Sequence, residues 1–327
     1  RQQHQVALFL KRLCLSPPFY FSIIKMCYIL TNYANWNIWR CIMLGKTLRK
    51  IRENRNMTQQ ELTKGIIRQA TYSRIEHGQL TISADLLYKL VERLNISMNE
   101  FFYIHQGYQA TPKQQLIQNF VRLELVLSKD IEEQLVAVHQ YLNMHHDEDV
   151  LMLHYAYCSL KALVCNQNME EVRAFATHVW QRMQKLDHWY LYDLELLNTI
   201  ILYFPLDVAR EITHTAIQRL DAYNSYERDT TLLKLYFRLN LTSLYLEENA
   251  FEQCLAELDS IHRQSYKHLT YQLLAFLLVR KMTCKHFLQQ DYTKEKEEFA
   301  MLQQLFHNED VFNLLKNEMT VNKVDYI

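Results

Sequence analysis

Apolar residues recur along most of the chain at the three- and four-residue spacing of amphipathic helices. The stretch SADLLYKLVERL, for example, places its leucines and valine on one helical face, and Ser83 at its start can cap that helix. Two segments, Thr58–Glu61 and Ser97–Glu100, have the spacing of a capping box and mark two further helix starts. Together with Gly78, which can end a helix begun at Gln69, the pattern predicts five short helices in residues 44–105.

Longer helical periods follow in residues 111–327. Each period is long enough for two helices and their turns. The repeat length is close to that of a tetratricopeptide array, but the helices are longer. In YFRLNLTSLYLEENAFEQCLAELDSIH, two apolar helices flank a polar turn. The pattern therefore predicts a stack of helical hairpins. Its periods begin near Gln114, Val150, His188, Arg228 and His268.

Glycine and proline are scarce, with four of each in 327 residues. All four glycines precede Lys113, and Pro205 is the one proline after it. A sheet-rich domain needs turn residues that this part of the chain does not have. The sequence therefore predicts an all-α protein: a five-helix domain followed by a helical-repeat domain.

Charge is unevenly distributed although the formal net charge is zero. Residues 44–80 carry eight basic and three acidic residues, whereas residues 111–327 carry 21 basic and 30 acidic ones. A small basic module ahead of a large acidic one suggests nucleic acid as a partner of the first module.

The sequence shows only weak signs of disulfide, metal-binding, catalytic or membrane-spanning segments. The seven cysteines have no CxxC spacing, which argues against a disulfide framework or a zinc finger and favours a reduced, cytoplasmic location. The cluster His145–Asp149 is expected to be a solvated turn, because adjacent loop residues rarely converge on one metal. No phosphate loop, serine-hydrolase or zinc-protease motif occurs, and no apolar run reaches the length of a membrane span. We expect no enzyme activity, no cofactor, no metal and no membrane partner.

Residues 1–42 differ from the rest of the chain. They carry five basic and no acidic residues and contain the apolar stretch FYFSIIKMCYIL. Met43 opens MLGKTLRKIRENR, which reads as an ordinary protein start. The hypothesis is that Met43 is the natural start and that 1–42 is a non-native or upstream extension; the alternative is an amphipathic extension that packs on the body.

The segments LRKIRENRNMTQQEL, TYSRIEHG and LLYKLVERLNISMNEFF resemble the XRE-type helix-turn-helix, and most closely that of the Rgg/GadR/MutR regulators. The aromatic segment WYLYDLELLNTIILYF resembles a helix of the C-terminal domains of the same regulators. The resemblance implies a DNA-binding domain at 43–107 and a helical-repeat sensor and dimerisation domain at 111–327. It also implies a cytoplasmic homodimer whose concave repeat surface binds a short hydrophobic peptide pheromone.

Carried onto this chain, the resemblance makes the third helix the recognition helix. Gln69, Ala70 and Arg74 would face base edges, where glutamine can pair with adenine and arginine with guanine. Gln59 would bind a phosphate, and Arg68, Thr71 and Ser73 are further candidates for phosphate or base contacts. Arg52 and Glu76 correspond to a partly buried ion pair that ties the first helix to the third.

Several residues of the predicted repeats have side chains that can hold an extended peptide. Asparagine and arginine side chains satisfy peptide backbone groups, which points to Asn198, Arg238 and Asn240. Tyr155, Tyr236 and Phe237 could supply apolar contacts.

The sequence thus predicts a transcriptional regulator that binds double-stranded DNA as a homodimer on an inverted-repeat operator. Its dimer interface is expected in residues 111–327, whose C-terminal helices carry the apolar stripe Phe299, Leu302, Leu305 and Phe306. The alternative is a ligand-independent regulator, or an interaction scaffold whose repeat domain binds a protein partner. The operator, the target genes, the direction of regulation and the identity of any peptide do not follow from the residues.

Overall fold

The computed structural model describes residues 44–123, 128–163 and 168–321. The proposed extension at 1–42 lies outside these ranges. The described residues form helices joined by turns and contain no β-strand, which confirms the predicted all-α class. The chain divides into two compact units between Thr111 and Pro112.

The first unit holds five short helices among its described residues. Helix α1 covers residues 44–54. The others are α2 Gln59–Thr63, α3 Gln69–Glu76, α4 Ala84–Arg93 and α5 Met98–His105. Their leucines, one tyrosine and one phenylalanine meet in a core from which water is excluded: Leu48, Leu62, Tyr72, Leu90, Leu94 and Phe101.

Local signals in the sequence begin and end these helices as predicted. The hydroxyl of Thr58 accepts from the Glu61 main-chain N–H, and the Glu61 carboxylate accepts from the Thr58 N–H at 2.7 Å, so the capping box is complete. Ser83 caps α4 through the N–H of Leu86. Gly78 follows α3 with a φ of +71°, a conformation that glycine adopts without steric cost.

The second unit contains eleven α-helices within its described residues. The first helix of each successive pair packs on the next, α6 on α8, α8 on α10 and α10 on α12, and forms an inner layer. The pairs are α6 Pro112–Val121 with α7 Ser128–Met144, α8 Glu148–Lys161 with α9 Met169–Met183, α10 Leu191–Ile200 with α11 Leu206–Asp221, α12 Thr231–Glu247 with α13 Phe251–Ser265, and α14 Tyr271–Phe287 with α15 Thr293–Leu305; α16 Glu309–Val321 closes the series.

Three apolar clusters follow one another along this unit. The largest joins α6 to α12, the next joins α12, α13 and α14, and the last joins α14, α15 and α16. Such a succession of nearest-neighbour cores is the physical basis of a repeat array. Phe299 belongs to the last core and is only 5% exposed, so its predicted place on a dimer stripe is wrong, whereas Leu305 is 72% exposed.

The turn at His145–Asp149 leaves His145, His146 and Glu148 exposed, as predicted, but its two aspartates also form a structural junction. Asp147 caps α8 by accepting from two main-chain N–H groups. Lys113 lies 2.9 Å from Asp147 and 2.7 Å from Asp149, and Arg182 also pairs with Asp149. These contacts connect α6, α8 and α9. The sequence did not reveal them because the two cations come from distant helices.

None of the helices in the described ranges has the length and apolar character needed to cross a membrane.

Candidate nucleic-acid interface and ligand groove

Helix α3 presents a polar face to solvent while its other face enters the core. Tyr72 and Ile75 point inward and are fully or almost fully buried. The residues predicted to contact DNA lie on the opposite side. Arg68, Gln69, Ala70 and Arg74 are exposed, and Thr71 and Ser73 are half-buried.

A buried ion pair fixes α3 against α1. Arg52 Nε donates to Glu76 Oε1 at 2.7 Å, and its Nη1 donates to the carbonyl of Met57 at 2.7 Å. The hydrogen bond to Glu76 raises the pKa of Arg52. Burial opposes ionisation of Glu76, but the hydrogen bonds from Arg52 and Gln59 outweigh it and hold the pKa of Glu76 below its ordinary value. Both groups therefore stay charged and orient α3.

Gln59 extends this pair toward the exposed face of α3. Its Nε2 donates to Glu76 Oε2 at 2.6 Å, and its Oε1 accepts from Gln69 Nε2 at 3.4 Å. One side-chain N–H of Gln59 is thus bonded to Glu76. The predicted phosphate contact would use the other side-chain N–H or the main-chain N–H, and it stays a prediction. The same bonds place Gln59 where it can orient the amide of Gln69.

Arg93 is a structural residue of this unit that the sequence reasoning missed. From the last turn of α4 it donates to the carbonyls of Leu62 and Lys64, at the C-terminal end of α2. It thereby holds the turn that leads into α3. The sequence signal was a basic residue in the last turn of a helix, which is too common to single out.

A cavity of about 220 Å³ opens on the inner layer of the second unit. Its lining comes from the first helix of all five pairs, so it runs across the repeats as a groove. Within α10 the lining residues repeat at three- and four-residue spacing, which marks one face of that helix. The lining includes Phe120, Leu160, Glu195, Asn198, Thr199, Leu202, Tyr236, Leu239, Asn240 and Phe276.

Two asparagines predicted for the groove meet in it. Asn240 Nδ2 lies 3.1 Å from both the carbonyl oxygen and Oδ1 of Asn198, and the bonds connect α12 to α10. The Oδ1 of Asn240 and the Nδ2 of Asn198 are not used in these bonds. An acceptor and a donor on adjacent inner helices therefore remain to match a peptide unit. Tyr236, the third predicted residue of the lining, lies on the same face as Asn240.

Three other residues predicted for the groove do not line this cavity. Phe237 is completely buried in the core of the repeats. Arg238 turns toward α13, where it bonds to Glu257 at 2.6 Å and also to Ser260 and Gln264. Tyr155 stacks on His178 with ring centroids 4.3 Å apart and is not part of the lining.

A second cavity of about 400 Å³ continues the groove at one end. The two cavities share Val121, Glu195 and Tyr236, and the second adds Arg122, Arg228 and Asp229. Burial raises the pKa of Glu195 even though Arg228 pairs with it. No local sequence pattern predicts this pair because its members lie on different hairpins.

Among the described residues, no group of three or more histidine, cysteine, aspartate or glutamate side chains could hold a metal ion. The cysteines whose positions are described, Cys158, Cys254 and Cys284, are free thiols.

Residues 48–101 match a family model described as helix-turn-helix, which identifies the first unit as a helix-turn-helix domain. The match begins within α1 and ends within α5, so it contains α2 and α3 entirely.

Three solved structures are similar to this chain along most of its length. PlcR from Bacillus thuringiensis, in complex with the peptide PapR7 and DNA, has 17% identity and a TM-score of 0.63, covering 83% of this chain and 98% of its own. The SHP pheromone receptor Rgg2 from Streptococcus dysgalactiae has 16% identity and a TM-score of 0.55, covering 86% and 98%. ComR from S. thermophilus, in complex with DNA and its signalling peptide ComS, has 14% identity and a TM-score of 0.56, covering 86% and 100%. These similarities confirm the predicted fold, a helix-turn-helix followed by helical repeats.

Proposed function

We propose that this chain is a sequence-specific DNA-binding transcriptional regulator, active in the cytoplasm as a homodimer, and that its groove is the receptor for a short apolar peptide. The observation that carries the DNA-binding part is α3: its inward face is locked by the Arg52–Glu76 pair, and its outward face presents Gln69 and Arg74. Glutamine and arginine are the side chains that read adenine and guanine in the major groove.

Dimerisation is part of the proposal because one helix-turn-helix buries too little surface for tight specific binding. Two copies on half-sites about one helical turn apart supply the missing contacts. The three similar structures cover 83%, 86% and 86% of this chain. Two of them contain DNA together with a peptide. This likeness supports a regulator rather than an enzyme.

The peptide part of the proposal rests on the groove. Its lining combines apolar side chains with the Asn198–Asn240 amides, which is the mixture that holds an extended peptide. A protein partner would need a broad exposed surface, whereas this cavity has a volume of about 220 Å³ and is lined by the inner helices of the array.

Selection from a random duplex library tests the DNA-binding part. The full chain is mixed with the library, bound duplexes are recovered over several rounds, and the enriched sequences are read. We expect an inverted repeat with half-sites about 10 base pairs apart, centre to centre. Enrichment of no sequence, with binding that depends only on salt, would contradict the proposal.

A further inference from the structure

The groove has an apolar part and a charged part, and the charged part has an excess of unused hydrogen-bond donors. The apolar part is the cavity lined by Leu160, Leu202, Leu239 and Phe276. The charged part, which we call the charged lobe, is the adjoining cavity with Arg122, Arg228, Glu195 and Asp229. Since Val121, Glu195 and Tyr236 belong to both, one extended ligand can reach from the first into the second.

Both carboxylates of the charged lobe already have partners. Glu195, which is 8% exposed, accepts from Arg228. Asp229 accepts from the main-chain N–H of Thr231 at 2.8 Å, at the start of α12. A ligand ammonium group would therefore have to displace an existing bond from either acid.

The two guanidinium groups of the charged lobe retain free donors. A guanidinium has five N–H groups, and Arg228 uses one of them on Glu195. Arg122 is exposed, and within the described ranges its side chain has no hydrogen-bond or ion-pair partner. The polar groups of the lobe that have no partner are thus guanidinium N–H groups, which can bind a carboxylate in a bidentate manner.

We propose that the charged lobe binds a carboxylate of the peptide, through Arg122 and Arg228, and so fixes the direction in which an apolar peptide lies in the groove. The carboxylate comes from the C-terminus or from an acidic side chain. This inference rests on the proposed peptide receptor, and it adds the chemical class and orientation of the ligand.

Buried Glu195 has a positioning role in this arrangement. Its pairing holds the Arg228 guanidinium at the wall common to both cavities, where the remaining N–H groups can meet the ligand. Without the acid, a long arginine side chain loses its fixed position. The pair therefore sets where along the groove the carboxylate binds.

Synthetic peptide pools test the proposal. The first pool contains seven-residue peptides of randomised Leu, Ile, Val, Phe and Trp with an acetylated N-terminus and a free C-terminal acid. The second is the same pool with a C-terminal amide, and the third is the amide pool with one internal glutamate. The full-length protein is incubated with each pool, separated from unbound peptide by size exclusion, and the retained peptides are quantified by mass spectrometry.

We expect the free-acid pool to be retained at least tenfold more than the amide pool. Retention of the third pool at the level of the first would show that the lobe accepts a carboxylate from either source, and retention at the level of the second would assign it to the C-terminus. Retention of the third pool alone would assign it to side-chain carboxylates. Equal retention of all three pools would overturn the carboxylate proposal and leave the peptide receptor intact. Retention of none would contradict the peptide receptor itself.

Three variants connect the result to the charged lobe. Arg122→Gln should reduce the preference for free acid at least threefold, and the double variant Glu195→Gln with Arg228→Gln should do the same without leaving an unpaired buried charge. Arg263→Gln, an exposed arginine on α13, is the matched control and should keep the full preference. An unchanged preference in the first two variants, with melting temperatures equal to that of the wild type, would contradict the assignment.

Discussion

Gly45 shows how closely two helices approach in the DNA-binding unit. A Cβ atom at this position would lie 1.9 Å from the carbonyl oxygen of Ile75, a backbone atom of α3. No side-chain rotation can relieve that contact. The residue therefore determines how α3 sits on α1, and with it the orientation of the exposed face of α3.

We predict that Gly45→Ala destabilises the first unit by about 3 kcal/mol, because α1 and α3 must move apart. Native-state hydrogen exchange of the α1 amides in the full chain measures the loss. Gly65→Ala is the control: it has a φ of +75° but open space around the new methyl group, so it should cost only about 1 kcal/mol. A larger loss for Gly65→Ala would contradict this view of the contact.

Glu76 makes the DNA-binding unit sensitive to acid. Its pKa is lower in the folded chain than its ordinary value of 4.5, so its stabilisation is present above that value and is lost as the pH falls through the folded value. We predict that the α3 amides of the wild type lose protection below about pH 4.5. Glu76→Gln should be less protected at neutral pH and converge with the wild type in acid, whereas Glu92→Gln, an exposed control on α4, should follow the wild type throughout.

Asn240 is the residue on which peptide binding should depend most. Asn240→Ala should lower the affinity for a peptide recovered from the pools by about 1–3 kcal/mol, measured by calorimetry, because its amide bridges α10 and α12 in the groove. Peptide-free DNA binding should be nearly unchanged. Asn313→Ala, exposed on α16, is the control. Unchanged affinity together with a lower melting temperature would make Asn240 a purely structural residue.

At the scale of elements, Arg280 joins three helices of the C-terminal repeats. From α14 it donates to the Leu239 carbonyl at 2.9 Å and to Thr242 Oγ1 at 2.6 Å, both on α12, and to Glu318 on α16 at 3.1 Å. Its guanidinium also lies 3.9 Å from the ring centroid of Phe276, which lines the groove. A buried cation therefore connects the groove wall to the last helix.

We predict that Arg280→Met lowers the free energy of unfolding by about 3 kcal/mol, because the substitution removes the hydrogen bonds of a buried cation that joins α12, α14 and α16. Chemical denaturation followed by circular dichroism measures the change. Arg263→Met, on the exposed face of α13, should shift the transition by less than about 0.5 kcal/mol. Equal shifts for the two variants would show that Arg280 does not connect the repeats.

Helix periodicity explains which of the predicted groove residues line the cavity. Tyr236 and Asn240 are four residues apart, so they share the face of α12 that lines the groove. Phe237 and Arg238 lie about 100° and 200° further around the helix, which turns them into the core and toward α13. All four residue types suit a peptide groove, but the orientation of α12 about its own axis decides which of them line the cavity. The sequence pattern does not predict that orientation.

At the scale of the whole molecule, the sequence predicts the succession of units better than it predicts contacts between distant residues. Caps, glycines and apolar periods are local, and the structure confirms the helical hairpins that they indicate. The pairs Lys113–Asp149 and Arg228–Glu195 join residues more than 30 positions apart. Charged residues are abundant on helical surfaces, so sequence alone does not say which of them meet. The Arg52–Glu76 pair was found only because the resemblance identified it.

The most direct test measures DNA affinity for three proteins: the wild type, Arg74→Ala and Lys89→Ala. Each is measured on a selected operator and on an unrelated duplex at one salt concentration. Both variants remove one exposed positive charge from the same unit, but Arg74 lies on α3 and Lys89 on α4. We predict that Arg74→Ala loses about 1–3 kcal/mol of operator affinity and much less affinity for the unrelated duplex, while Lys89→Ala changes both affinities slightly and equally. Equal losses for Arg74→Ala on the two duplexes, or an operator affinity identical to that of the wild type, would contradict α3 as the helix that reads DNA.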